Sequence, residues 1–142
     1  MRELLINYAK DKVFNSFKFL EQLGYVAEKY GISNDGRFEI SFTNSVTKKD
    51  IHFIISDNED INRFHMTISI IKKPYLEVND FIDFDVYLQK NGIAFERSLE
   101  GNEINEVAIG RYINNYFELF KTHGINLITS GKQFSHYFPE WT

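Results

Sequence analysis

Two histidines in neighbouring segments are the residues whose spacing first points to chemistry. His52 lies in DIHFIIS and His65 in RFHMTISI, and a four-residue loop at residues 57–60 would set them opposite each other on paired strands. Two opposed imidazoles supply two ligands, whereas a transition-metal site takes three or four donors. Glu39 is expected one row away and Ser41 is a poor ligand. The pattern therefore favours solvent-facing histidines or a pH-sensitive contact surface over a metal site.

Carboxylates gather in two predicted turns. The first cluster comprises Asp57, Glu59 and Asp60, and the second comprises Asp80, Asp83 and Asp85. The segment DNEDIN is spaced like the start of a calcium loop, but its sixth position is not Gly and its twelfth is Ile68 rather than Glu. Aspartate is common in turns because its side chain bonds the local backbone. Both clusters are therefore interpreted as solvated turns, with docking of a basic partner as the functional alternative.

The segment YFELFKTHGINLITSGKQF groups a His, a Lys, a Thr and a Ser near two glycines. SGKQ lacks the first glycine of a phosphate loop at the required distance, and the chain has no G-x-S-x-G nucleophile elbow. A Ser–His–Asp triad stays open because its order along a chain is free. The pattern favours a helix end, with Lys121 and His123 in the last turn, Gly124 at C′ and Ile125 as the following contact.

Composition limits the classes of protein. The chain has 142 residues, 43% hydrophobic and 25% charged, which is typical of one domain covering residues 1–142. It has no Cys, so disulfides and thiolate-bound metals are excluded, and no motif indicates a cofactor. A net charge of −4 disfavours nonspecific binding of nucleic acid. The apolar run at residues 4–6 is too short for a secretory signal or a membrane span, so we expect a cytoplasmic protein without a membrane partner.

The positions of apolar residues predict an α+β fold. Residues 11–23 carry a helical stripe that Gly24 ends. Three segments alternate with period two, namely RFEISFT, DIHFIIS and RFHMTISI, and YVAEKYGI before them is interpreted as a further strand. We therefore expect an N-terminal helix followed by a four-stranded antiparallel meander.

Two helices are predicted after the meander. DFDVYLQKNG indicates a short helix capped by Asp83 and closed by residues 91–92, although DFIDFDV, which overlaps its start, also alternates with period two. A long amphipathic helix is expected from about Glu103 to His123, with Asn102 as its N-cap, packed on one face of the sheet. Tyr112 and Tyr116 lie on its apolar stripe and are therefore assigned to the core. The aromatic tail FSHYFPEWT is expected to fold back against the domain.

The alternation also predicts how the strands pair. With a loop at residues 45–48, Phe42 pairs with Ile51 and Ile40 with Phe53. With a loop at residues 57–60, Phe53 pairs with Phe64. The polar face then carries two rows, Ser41–His52–His65 and Glu39–Ile54–Arg63.

The order of these features is similar to that of a set of small bacterial proteins. A helix ending FLEQLGY, the strands FEISFTN and DIHFIISD, and a helix running into HGINLITSG together resemble immunity proteins of polymorphic-toxin and contact-dependent inhibition systems. The resemblance implies a non-enzymatic cytoplasmic protein that binds a cognate toxin domain and blocks its active site or folding. It supplies no catalytic residues.

Three functions are carried forward as expectations. The leading one is an immunity protein that binds its partner through the acidic turns and the polar sheet face. The candidate contact residues are Asp57, Glu59, Asp60, Asp80, Asp83, Glu39, His52, Arg63 and His65. The alternatives are a chaperone or adaptor for a secreted protein, which would be dimeric, and a small enzyme that uses His52, His65 and Glu39 on the open sheet face.

Overall fold

The chain forms an antiparallel sheet and a set of helices, seen in a computed structural model that describes residues 3–32, 37–74 and 80–129. In order, the elements are α1 Glu3–Phe17, β1 Val26–Ile32, β2 Arg37–Asn44, β3 Lys49–Asn58, β4 Arg63–Lys72, β5 Phe81–Asp83, α2 Phe84–Lys90, β6 Leu99–Glu100, α3 Glu106–Leu119 and α4 Ile125–Thr129. Short 3₁₀ helices at Lys18–Leu23 and Gly101–Glu103 and a π-helical turn at Phe120–Gly124 connect them. The predicted tail FSHYFPEWT lies outside the described residues.

The first helix begins earlier than its clearest apolar stripe. α1 buries Ala9, Val13 and Phe17, which recur every four residues and therefore lie on one face. The 3₁₀ helix that follows ends at Gly24, whose φ of 90° is a left-handed conformation that glycine adopts without strain. The predicted stop at Gly24 is confirmed.

Six described strands form one sheet rather than the four that were predicted. β1 to β4 make the expected antiparallel meander. β5 and β6 both add to the far edge of β4, where β5 pairs with residues 69–71 and β6 with residues 63–64. β6 has only two residues, too few to show a readable alternation. β5 lies within DFIDFDV, whose alternation was the open alternative to a helix at that position.

The alternating residues separate the two faces of the sheet as predicted. The inner face is fully buried and joins the buried residues of the helices in one core. The outer face, which is the opposite side, consists mainly of half-buried polar residues. Its members on β2, β3 and β4 are Glu39, Ser41, Thr43, Asp50, His52, Ile54, Ser56, Arg63, His65, Thr67, Ser69 and Ile71.

The pairing of β2 with β3 is confirmed, but the predicted pairing of β3 with β4 is wrong. Phe42 faces Ile51 and Ile40 faces Phe53, as expected. The β3–β4 turn, however, lies at residues 59–62, so Phe53 faces Ile68 and not Phe64.

Two asparagines explain the position of this turn. The Asn58 side-chain oxygen accepts hydrogen bonds from the backbone N–H groups of Asp60 and Ile61, and Asn62 takes the left-handed φ of 52°. β3 thereby ends two residues later than expected and β4 begins two residues later, which shifts their register by four residues. Because the shift is even, every side chain keeps its predicted face.

The short helix α2 follows the prediction. The Asp83 side chain accepts from the N–H groups of Asp85 at 2.9 Å and Val86 at 3.3 Å, which makes it the N-cap. Asn91 caps the other end, and Gly92 has a φ of 69°. The second acidic cluster therefore owes part of its composition to a helix start.

The long helix α3 differs from the prediction at both ends. It begins at Glu106, with Asn105 rather than Asn102 as the N-cap, because the Asn105 side chain accepts from the N–H of Ala108 at 2.9 Å. At the other end the chain does not stop at Gly124. It continues through the π-helical turn into α4, so Lys121 and His123 do not occupy a final turn.

Gly124 does not end the helix, and its lack of a side chain is needed for packing. A Cβ atom at this position would lie 2.7 Å from the ring of Phe120, four residues earlier. That ring is fully buried and contacts the rings of Phe17 and Phe84 with centroids 5.7 and 5.3 Å apart. The glycine thus lets the π-helical turn close over the aromatic core.

Candidate functional site

A polar cluster occupies the part of the outer face around His52. The His52 Nδ1 atom lies 2.9 Å from Glu39 Oε1 and 3.3 Å from Ser41 Oγ, while Nε2 lies 3.9 Å from Asp50 Oδ2. Asp50 in turn forms an ion pair of 3.1 Å with Lys73. The structure therefore brings the predicted residues Glu39 and His52 into contact.

The geometry of this cluster is not that of a nucleophilic triad. A triad needs the serine on one imidazole nitrogen and the carboxylate on the other. Here Ser41 and Glu39 both approach Nδ1, and Ser41 is only 4% exposed. The cluster acts as a network that fixes the outer face.

His65 lies apart from His52, contrary to the predicted pair. His52 faces Ser69, and His65 faces Ser56. The two histidines differ by four residues along β3, which is roughly 13 Å at a rise of ~3.3 Å per residue. A shared metal between these two imidazoles is thereby ruled out by distance.

His65 stands in an unusual environment. Its Nδ1 atom is buried and has no hydrogen-bond partner among the residues that the structure describes. Burial, together with the nearby positive charge of Arg63, lowers the pKa of this imidazole. His65 is therefore favoured in its neutral form.

A cavity of about 730 Å³ opens beside His65 at the β3–β4 turn. Its charged lining residues are Arg37, Asp57, Glu59 and Asp60. Glu59 and Asp60 are exposed, and Asp57 is half-buried. We call this turn and cavity the acidic end of the sheet, and it contains four of the predicted contact residues.

A second cavity of about 370 Å³ fills the gap between β5 and β6 along β4. His65 and Arg63 line it together with Asp85, Arg97 and Glu100. Arg63 Nε lies 3.0 Å from Glu100 Oε1, so the predicted residue Arg63 forms an ion pair across the β4–β6 pairing.

Two tyrosines from α3 complete this gap, and the sequence interpretation had assigned them only to the core. Tyr116 donates a hydrogen bond of 2.8 Å to the Asp85 carboxylate, and burial raises the pKa of Asp85 despite this bond. The Tyr112 hydroxyl accepts from the Met66 N–H at 3.0 Å and donates to the Arg97 carbonyl at 2.7 Å. Burial strongly raises the pKa of both tyrosines, so both hydroxyls remain protonated donors.

The second predicted acidic cluster does not join the first. Asp80 immediately precedes β5, and Asp83 pairs with Ser69 on β4. The acidic end lies at the opposite end of β4. The structure thus divides the predicted contact residues into separate groups.

The other end of the sheet has balanced charges. Lys48 and Lys73 line a cavity of about 460 Å³ beside the β2–β3 turn, and Glu28 is the one carboxylate among its described lining residues. Lys73 also pairs with Asp50 on the outer face, so two ammonium groups meet two carboxylates here. Val46, at the tip of this turn, is 88% exposed. The Asn44 side-chain oxygen accepts from the N–H groups of residues 46 and 47, which fixes the turn.

Among residues 3–32, 37–74 and 80–129, no three His, Asp or Glu side chains are grouped so that they could hold a metal ion. In the same part of the chain, no helix has both the length and the apolar composition needed to cross a membrane. No protein-family model matches the sequence, and no curated protein or solved structure shows significant similarity to it.

Proposed function

We propose that the chain is a non-enzymatic cytoplasmic binding protein, and specifically an immunity protein that neutralises a cognate toxin domain through the acidic end of its sheet. The observation that supports this proposal most directly is the combination of negative charge, a fixed turn and a cavity at the acidic end. Three carboxylates stand at a hairpin turn held by Asn58, beside a cavity large enough to receive side chains of a partner.

The proposal follows from the way charge acts at a surface. Among the described residues that line the cavity, three carboxylates against the one guanidinium of Arg37 leave a local excess of negative charge. A charged patch on a fixed turn attracts a partner of opposite charge and costs little ordering entropy when it binds. The partner surface is therefore expected to be basic, as in many enzymes that act on nucleic acid.

The experiment is a test of protection in growing cells. The chain is co-expressed with each toxin domain encoded beside its own gene, and growth is compared with that of cells expressing the toxin alone. The wild-type chain restores growth against one such toxin. The proposal is overturned if the wild-type chain protects against none of them.

Charge reversal assigns the contact surface. The double variant E59K/D60K changes two exposed carboxylates, raises the net charge by 4 and should weaken binding of the toxin at least about tenfold, largely through slower association. The matched control D11K/E21K changes the net charge equally at exposed positions of the helical layer and should bind like wild type. Equal binding by E59K/D60K and wild type would remove the acidic end from the contact.

A further inference from the structure

The cavity of about 370 Å³ in the gap between β5 and β6 contains two side chains of opposite charge that do not pair. Arg97 and Asp85 both line it, yet neither forms an ion pair with the other or with any other described residue. The other two charged side chains of the described lining, Arg63 and Glu100, form an ion pair of 3.0 Å and so offset each other. The cavity therefore keeps one cationic group and one anionic group for a ligand.

Both of these groups are held in place through tyrosines of α3. Tyr116 donates to the Asp85 carboxylate at 2.8 Å and contacts the ring of Phe95 with centroids 6.3 Å apart. The Arg97 guanidinium lies over that ring, 5.6 Å from its centroid. Tyr112 fixes the backbone at the same point, because its hydroxyl donates to the Arg97 carbonyl. Groups that are ordered before binding lose little side-chain entropy when a ligand arrives.

The two charges interact across the cavity without touching. Burial raises the pKa of Asp85, and the positive charge of Arg97 acts against that rise, so the two groups lie within electrostatic range of each other. His65 lines the same cavity and has no hydrogen bond to a described residue, so it adds a further unused polar group. The arrangement has room and polar partners for a molecule between the two charges.

The charge and the size of the cavity narrow the class of that molecule. Two guanidinium groups and two carboxylates in the described lining sum to zero with His65 neutral, so a simple anion or cation gains no net attraction. A volume of about 370 Å³ is near the lower end of the range of about 300–1,000 Å³ for small-molecule sites. Both properties favour a small ligand that itself carries one charge of each sign.

We propose that this cavity binds a small zwitterion with one carboxylate and one protonated amine, namely a free amino acid. The carboxylate of the ligand pairs with the Arg97 guanidinium, whose planar fork donates two parallel hydrogen bonds to such a group. The ammonium group of the ligand pairs with the Asp85 carboxylate, which has one oxygen without a hydrogen bond to a described residue. The ligand thus pairs two charges that the fold holds apart.

Two-dimensional NMR of the isotope-labelled full chain tests the proposal, with the standard amino acids titrated singly to about 10 mM near neutral pH. At least one of them should give saturable shifts of amide signals, largest at residues 63–65, 85 and 97–100. The carboxamide of that amino acid lacks the carboxylate, and its N-acetyl derivative lacks the ammonium group. Each derivative should bind at least about tenfold more weakly, because it loses a charge-assisted hydrogen bond.

Two variants assign each end of the ligand to its residue. R97Q should weaken binding of the amino acid at least about tenfold and leave the affinity for its carboxamide unchanged. D85N keeps an acceptor for Tyr116, and it should weaken binding of the amino acid equally while leaving the affinity for its N-acetyl derivative unchanged. R111Q and E21Q make the same changes of charge at exposed positions outside the cavity and should bind like wild type.

Three results would overturn the proposal. The first is the absence of saturable shifts with every amino acid. The second is equal binding of the amino acid and its two derivatives, which would show that the charges are not read. The third is binding of the amino acid by R97Q as tight as by wild type, which would place the ligand elsewhere.

Folding of each variant is verified by circular dichroism. If D85N unfolds, R97Q alone decides, because the Arg97 side chain forms no hydrogen bond or ion pair with a described residue. No toxin is present in any of these measurements, so their outcome is independent of the function proposed above.

Discussion

The hydroxyl group of Tyr112 should contribute strongly to stability, because it completes the hydrogen bonding of a gap in the sheet edge. On the edge of β4 that faces away from β3, no described strand lies between β6 and β5, and the N–H of Met66 points into this gap. Tyr112 is fully buried and supplies the acceptor for that N–H and a donor for the Arg97 carbonyl. Tyr112→Phe removes both bonds without removing packing volume.

The cost of Tyr112→Phe can be estimated from its two lost bonds. A buried N–H left without an acceptor costs about 1–3 kcal/mol, and loss of an ordinary hydrogen bond to the part-buried Arg97 carbonyl costs about 0.5–1.5 kcal/mol. The sum is about 1.5–4.5 kcal/mol. Since domains of this kind are stable by about 5–15 kcal/mol, the variant should fold but unfold much more easily.

Urea unfolding followed by circular dichroism measures this effect. The midpoint should fall while the slope m stays unchanged, because the folded state remains equally compact. Tyr8→Phe is the matched control, because the hydroxyl of the half-buried Tyr8 has no hydrogen bond to any described residue. This variant should change the free energy of unfolding by less than about 0.5 kcal/mol. If Tyr112→Phe also costs less than about 0.5 kcal/mol, the hydroxyl does not bridge the gap and the account of the β4 edge is wrong.

Three further substitutions test separate parts of the fold. Asp83→Ala removes the N-cap of α2 and should cost about 1 kcal/mol in urea unfolding, whereas Asp83→Asn, which keeps an acceptor, should cost little. Because the pKa of His65 is lowered in the fold, the unfolded chain binds more protons just below pH 6.5, and the free energy of unfolding should fall as the pH drops from 6.5 to the lowered value. His65→Gln should flatten that part of a curve of unfolding free energy against pH. An unchanged slope would assign the pH dependence to other groups. Gly124→Ala gains about 1 kcal/mol of helix propensity but meets the buried Phe120 ring, where overpacking costs about 1–3 kcal/mol, so the melting temperature should fall. Gly110→Ala meets only the end of a tyrosine side chain, so it should lower the melting temperature less. A higher melting temperature for Gly124→Ala would show that the π-helical turn can rewind.

The meander was predictable because alternation is a local property of each strand. The side chains of Phe38, Ile40 and Phe42 are buried as their spacing indicated, and the β2–β3 pairing followed from that spacing with a loop at residues 45–48. The β3–β4 pairing did not follow, because four-residue loops at 57–60 and at 59–62 keep the same residues on the same face. Only the hydrogen bonds of Asn58 and the left-handed Asn62 distinguish the two loops, and neither affects the hydrophobic pattern.

The candidate site was partly predictable for a similar reason. The carboxylates of the acidic end are neighbours in the chain, so their proximity needs no tertiary contact. The pair formed by Asp85 and Tyr116 joins residues that are 31 positions apart, and it depends on how α3 crosses the gap between β5 and β6. Tyr116 also lies on the apolar stripe of its helix, so periodicity correctly assigned its ring to the core. Periodicity does not indicate which group its hydroxyl contacts.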